Sequence, residues 1–232
     1  PHNFCVEGPA PMTPPNEFYG FKKGLGFYKH FAHNGARMSL QRGHVSIPRL
    51  NPQMKHIGII GGGGISETHA RAALEIEGVE IAAFYGDNHE RTAKLAQSYG
   101  GTVYRDFKSF LAHRPMDIVI IGSPSALHAE QGIAAARQGL HVLTEKPVDV
   151  TTAQADALID ECERARVKLA VCFQDRVAPG IAQLKQLVDE GRVGRPIICS
   201  GYVKWYRPPE YYANSRWRGR PAPDGGGGLV NQ

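Results

Sequence analysis

Long hydrophobic runs are missing from this chain. Nowhere do 18 apolar residues follow one another, so no segment can cross a bilayer as a single helix. Cysteine is scarce: Cys5, Cys162, Cys172 and Cys199 are widely spaced and form no C-x-x-C or Cys/His pattern, which argues against a structural zinc site or a disulfide framework. They read as buried, reduced thiols, and a cytoplasmic setting is expected. A strong charge of one sign is also lacking where it would matter. The net charge of +5 is concentrated in residues 1–53, where six Lys and Arg face only Glu7 and Glu17, leaving 21 basic and 20 acidic residues in 54–232. That near balance excludes nucleic acid or an anionic membrane as the expected partner. With 42% apolar residues in 232, the chain can bury a substantial core in one large domain or one and a half.

Residues 1–53 are rich in Pro, Gly, His and aromatics, show no sustained periodicity and do not begin with Met. Met54-Lys55-His56 stands directly before the first strand pattern. The expectation is that Met54 is the start, and that residues 1–53 are upstream or artefactual sequence to be set aside. A targeting leader is the rival; against it stand the absence of a continuous apolar segment, of a twin Arg and of Ser enrichment.

The run Ile57 to His69 organises the rest. Ile57, Ile59 and Ile60 are β-branched and suit a strand buried on both faces. Gly61 to Gly64 then break the strand, and Ile65, Ala70, Ala73, Leu74 and Ile76 recur at helical spacing. Gly61 and Gly63 fill the first two positions of G-x-G-x-x-G, one allowing a tight turn and the other a close backbone approach to a pyrophosphate at the helix N-terminus. Ser66 takes the third. Alone, such a run is equally a flexible loop.

Strand and helix patterns alternate from there. Strands are expected at 56–60, Val79–Tyr85, Thr102–Tyr104, Asp117–Gly122, His141–Thr144 and Lys168–Phe173, with helices at about 65–77, Glu90–Tyr99, Phe107–His113, 128–138 and 151–166. Thr151 and Gln154 have the spacing of a capping box. Repeated β-α units with short loops require a parallel, doubly wound α/β sheet. Beyond about Gln174 the pattern changes: Ala178–Glu190 is an amphipathic helix and Pro196–Arg207 reads as a long strand opening an α+β unit.

Ligands of such sheets sit beyond the carboxyl ends of the strands. Those loops carry Gly86-Asp87-Asn88 with Arg91, Ser123-Pro124 with His128, and Glu145-Lys146-Pro147. Taken with IGIIGGGGISETHA, GSPSALHAE, GLHVLTEKP and WRG followed by DGGGGLVNQ, the chain from Met54 to Gln232 resembles the Gfo/Idh/MocA oxidoreductases.

The resemblance implies a Rossmann domain at 54–174, the beginning of an α/β substrate domain at 175–232, and NAD or NADP bound between them. It places Gly61, Gly63, Gly64 and Ile65 around the pyrophosphate and Ser123 and Pro124 beside the cofactor. Glu145 and Lys146 fall near the nicotinamide ribose and the substrate hydroxyl. Lys146 is the expected catalytic residue: its ammonium can donate a hydrogen bond to the substrate oxygen and exchange a proton as hydride moves. Without the family context, the tripeptide 145–147 would read as a solvated turn. His128 is implied near the cofactor, with packing or capping as the alternative; Arg176, Tyr202, Tyr206, Trp217 and Arg218 fall where relatives line the cleft, or serve structure. His69 and Cys172 read as core.

Gly86 stands where relatives place an acidic residue for the ribose, with Asp87 one position later; Asp87 leans towards NAD, and Arg91 leaves NADP open. The sequence stops before the G-x-H in which relatives carry an acid/base His, so a fragment that tends to aggregate is expected. The implied activity is hydride transfer between a nicotinamide cofactor and a secondary hydroxyl or ketone of a sugar, cyclitol or related polyol, in a homo-oligomer when full length. Alternatives are a redox-assisted glycosidase or lyase that retains its cofactor, and a non-catalytic dinucleotide sensor.

Overall fold

A computed structural model of the chain describes residues 54–215 and 217–225. The expectations for residues 1–53 and for the glycine run at 225–228 with Leu229 to Gln232 therefore lie outside the described residues, apart from Gly225.

Six strands form one parallel sheet: β1 (Lys55–Ile60), β2 (Val79–Tyr85), β3 (Thr102–Tyr104), β4 (Ile118–Ile121), β5 (His141–Glu145) and β6 (Leu169–Cys172). Their order is β3-β2-β1-β4-β5-β6, with every neighbouring pair parallel. The helices between them are α1 (Gly64–Leu74), α2 (His89–Tyr99), α3 (Phe107–Leu111), α4 (His128–Arg137) and α5 (Thr152–Arg164). Right-handed crossovers from parallel strand to parallel strand place such helices on both faces.

Strand residues are apolar on both sides because both faces are covered. Ile57, Ile59, Ile118, Ile120, Phe84 and Leu143 pack with Ala70, Ala73 and Leu95 on one face. Ile60, Val119, Ile121 and Val142 pack with Phe110, Leu158 and Cys162 on the other. A Cβ on Gly58 would lie 2.3 Å from Met116 Sδ and 2.8 Å from Phe110 Cζ, so the strand tolerates nothing larger there. Caps follow the sequence pattern. Asn88 accepts from Arg91 N–H at the start of α2, and the Thr151 hydroxyl accepts from Gln154 N–H at 3.2 Å at the start of α5.

The chain continues through α6 (Pro179–Asp189), α7 (Pro209–Ala213) and α8 (Pro221–Asp224). The long strand expected over Pro196–Arg207 does not form: this stretch has no regular structure, and Ile197 is 91% exposed. A strand exists only by its ladder, and no partner segment lies beside this one among the described residues. Helix α8 packs against the short 3-10 turn Ser125–Leu127 that follows β4, and a Cβ on Gly225 would approach Val150 Cγ1 to 2.8 Å. The segment after Arg218 is therefore docked beside the loops that follow β4 and β5.

Candidate active site

Strand order reverses between β1 and β4, so the loops after these two strands diverge and leave a crevice at the carboxyl edge of the sheet. The sequence places glycine on both sides of it. Gly61 leaves β1 at φ +123°, and a Cβ there would meet Ser66 Oγ at 2.5 Å and the Gly122 carbonyl oxygen at 2.7 Å. Gly63 and Gly64 differ: a Cβ on either meets nothing within 4 Å. Gly63 is the N-cap of α1 and makes no side-chain cap hydrogen bond, so no side chain caps the first turn of α1, the arrangement in which a helix N-terminus can cradle an anion. Ile65 leans over Gly122, whose Cβ would come within 3.1 Å of Ile65 Cγ2.

Ser66, at the third position of the motif, is fully buried. Its hydroxyl fills the gap left by the absent side chains of Gly61 and Gly122, and it has no hydrogen-bond partner. The helix therefore stays close to the strand although the third glycine is missing.

At the end of β2, Gly86 supports the glycine loop: a Cβ there would lie 3.3 Å from the Gly61 carbonyl carbon. Asp87 is exposed at the crevice edge. Arg91 sits on the first turn of α2 with its Cβ against Gly62. Asp87 and Arg91 thus both belong to the segment that follows β2, with the Arg91 backbone end beside the glycine loop. Asp87 also acts on its neighbour, since burial and then its charge push the Tyr85 phenol up.

After β4, the Ser123 hydroxyl donates to Gln131 Oε1 at 2.6 Å, and Pro124 leads into the 3-10 turn. His128 is 1% exposed. Its Nδ1 lies 2.8 Å from the Pro147 carbonyl oxygen and its Nε2 2.9 Å from that of Ser123. It ties the loops after β4 and β5 together and offers neither ring nitrogen to the crevice. Asp149 reinforces the tie, with Oδ2 accepting from Ala129 N–H at 3.1 Å and Oδ1 from Val150 N–H at 2.7 Å. Asp149 is missed by motif reading because a buried cap acceptor looks like any surface Asp in sequence.

After β5 stands Glu145-Lys146-Pro147. Glu145 Oε1 is 2.8 Å from His69 Nε2, and Oε2 accepts from Lys146 N–H at 3.2 Å. Burial would push the Glu145 carboxyl up; the His69 bond and charge, the Lys146 N–H and the Cys172 thiol outweigh it and hold the group below the usual carboxylate range. Burial, with the Glu145 charge and hydrogen bond, pushes the Cys172 thiol up to about 12. The ligand atoms of His69, Glu145 and Cys172 all lie within 4.8 Å, a cluster accounted for by imidazole and thiol sharing one carboxylate. His69 and Cys172, which pattern alone assigns to the core, thus adjoin the site.

The remaining candidates are dispersed. Arg176 is exposed, its guanidinium 4.6 Å from the Phe173 ring centroid. Tyr202 and Tyr206 are 84% and 80% exposed. Arg218 lies 4.3 Å from the Tyr211 ring and 5.5 Å from the Trp217 ring. Gly219 N–H donates to Asp224 Oδ2 at 2.7 Å, closing the turn that precedes the docked α8. Among the described residues, no helix is long and apolar enough to cross a membrane.

Comparison with known proteins agrees with this geometry. A family described as "Oxidoreductase family, NAD-binding Rossmann fold" matches residues 55–173, and the GFO/IDH/MocA C-terminal domain matches 181–232. A 1,5-anhydro-D-fructose reductase of Ensifer adhaerens is 30% identical over 178 residues, 76% of this chain and 52% of that protein. A levoglucosan dehydrogenase of Pseudarthrobacter phenanthrenivorans is 30% identical over 192 residues, covering 76% and 48%. The WlbA dehydrogenase from Bordetella pertussis, solved in complex with NADH and UDP-GlcNAcA, superposes with a TM-score of 0.72 at 30% identity, covering 78% of this chain and 52% of that one. A 3-ketoreductase from Actinomadura kijaniata in complex with NADP and TDP-benzene gives 0.56 at 26% identity, over 60% and 43%. The chain spans about half the length of the curated relatives it matches. A glycine cradle at the strand-order reversal of a six-stranded Rossmann sheet, with both family matches in register along the chain, makes this a member of the Gfo/Idh/MocA oxidoreductase family.

Proposed function

We propose that this chain carries the dinucleotide site and part of the substrate site of an NAD(P)-dependent dehydrogenase. Its substrate is a sugar, cyclitol or related polyol bearing a secondary hydroxyl, or the matching ketone. The observation that carries the reading is the pair of open glycine positions, 63 and 64, at an uncapped helix N-terminus, with only β4 between their strand and the one whose loop bears Lys146. Relatives named for anhydrofructose, levoglucosan and inositol support the substrate class.

The residues divide the work as follows. Gly61 makes the turn, and the backbone N–H groups of Gly64 and Ile65 hold the pyrophosphate. Asp87 accepts from the adenosine ribose in NAD, while Arg91 meets a 2′-phosphate in NADP. Ser123 and Pro124 form the opposite wall, held from behind by His128, and Trp217 and Arg218 approach from the docked segment. When bound, the nicotinamide supplies hydride chemistry. Lys146 orients the substrate oxygen through its Nζ and takes or returns the hydroxyl proton, so that charge never accumulates on that oxygen. Glu145 fixes the backbone of Lys146. In this reading the dinucleotide unit ends near residue 174, the substrate unit begins at 175, and the protein works in the cytoplasm as a homo-oligomer.

The test is a fluorescence titration of the full-length protein that contains this chain with NADH and NADPH, followed by absorbance assays at 340 nm against hexoses, pentoses and inositols. Binding with a Kd in the micromolar range and turnover lost in Lys146→Ala are expected. Failure to bind either dinucleotide overturns the proposal.

A further inference from the structure

His69 and Cys172 were expected to fill the core, yet both converge on one carboxylate. His69 is 3% exposed and belongs to α1, the helix whose first turn forms the glycine cradle. Cys172 closes β6 in register with Glu145. Between them Glu145 holds the Lys146 N–H with its second oxygen. An ionised carboxylate buried to this degree is costly unless its lone pairs are met by donors. Here donors arrive from three elements: the imidazole from α1, the thiol from β6 and the backbone N–H from the loop itself. Among the described residues, the titratable side chains that shift this carboxylate are His69 and Cys172.

The consequence is mechanical. Residues 69 and 145 are 76 apart in sequence, and their bond connects the helix that cradles a dinucleotide to the loop that presents Lys146. We propose that His69 is a positioning residue that acts through Glu145, with Cys172 as its third support, so that the cradle and Lys146 are held in one register. The role of Lys146 rests on the dehydrogenase reading; the His69–Glu145–Cys172 network does not.

The test uses the full-length protein that contains this chain as wild type, His69→Ala and His69→Gln, since a Gln amide can donate to the same carboxylate. NADH binding and turnover are followed between pH 5 and 8. In His69→Ala, Glu145 loses its main counter-donor, so the acid limb of the pH profile moves up by about one unit. Turnover falls about 10- to 100-fold, with substrate KM changed less than about threefold. His69→Gln restores the limb and most of the rate. An unmoved limb in His69→Ala, or a His69→Gln variant that melts like wild type yet behaves like alanine, overturns the proposal. If wild type binds neither NADH nor NADPH, the dehydrogenase reading fails, and the network is judged by melting alone. A wild-type advantage over His69→Ala that is open at pH 7 and closes on acidification supports it; a gap independent of pH overturns it.

Discussion

Replacing Gly61 or Gly63 by alanine separates two roles that the glycine run superimposes. At Gly61 an alanine meets two obstacles. The φ of +123° belongs to a region that L side chains enter only at a cost of about 1–3 kcal/mol. The new methyl would also sit 2.5 Å from Ser66 Oγ and 2.7 Å from the Gly122 carbonyl, and overpacking of this kind costs about 1–3 kcal/mol. Ser66 can rotate away, but the Gly122 backbone belongs to the neighbouring strand end and cannot yield freely. A loss of about 2–6 kcal/mol is expected, a fall in Tm of about 4–24 °C for a chain of this size. At Gly63 the backbone is extended, with φ −92° and ψ 177°, and a Cβ meets nothing. Alanine there costs at most about 1 kcal/mol as a poorer N-cap, yet it intrudes on the space where a pyrophosphate would lie, and NADH affinity should fall about 10- to 100-fold. Urea melts and NADH titrations of both variants read the two quantities. Equal destabilisation, or a Gly63→Ala variant that binds NADH like wild type, would refute the division of roles.

Lys146→Ala should remove most turnover while NADH affinity stays within about threefold; full turnover would remove Lys146 from the mechanism. Arg91→Ala should weaken NADPH and spare NADH, and Asp87→Ser should do the reverse, as read from the ratio of the two Kd values. Asp117 is held below the usual carboxylate range: burial pushes it up, but the His56 N–H at 2.9 Å and the His56 ring outweigh this. A depressed folded value means stability present at neutral pH and lost as pH falls through that value. The deficit of Asp117→Asn against wild type should therefore shrink on acidification below about pH 4, measured by melting; a deficit that grows would contradict the sign. Residues 54–232 should self-associate in sedimentation, because Ile197, Ile198, Tyr202, Trp205 and Tyr206 are all largely exposed.

Most of the sheet was legible because a strand buried on both faces needs a near-continuous apolar run, and IGII, VEIAAFY and DIVIIG declare themselves without reference to their neighbours. The helix start at Thr151 was legible for the same local reason, a side-chain acceptor placed three residues before the N–H it takes; the equivalent cap at Asn88 starts its helix at His89, one residue before the Glu90 expected from periodicity. The strand expected at Pro196–Arg207 failed because alternation shows only that a segment could be a strand; a ladder partner must supply the rest.

The site divides in the same way. Local sequence alone determined the strand, glycine turn and helix at 57–74, since these depend on contiguous residues meeting a backbone requirement; the Lys146 loop and the class of ligand came from the joint occurrence of several motifs in one order, not from any of them singly. Only the tertiary structure decided that Ser66 replaces the third glycine by filling the space beside Gly61 and Gly122. It also showed that His128 bridges two carbonyls from behind, and that His69 and Cys172 grip Glu145 from a helix and a strand far away in sequence. A buried imidazole or thiol carries no local mark of its partner; the partner is chosen by the order in which parallel strands are laid side by side.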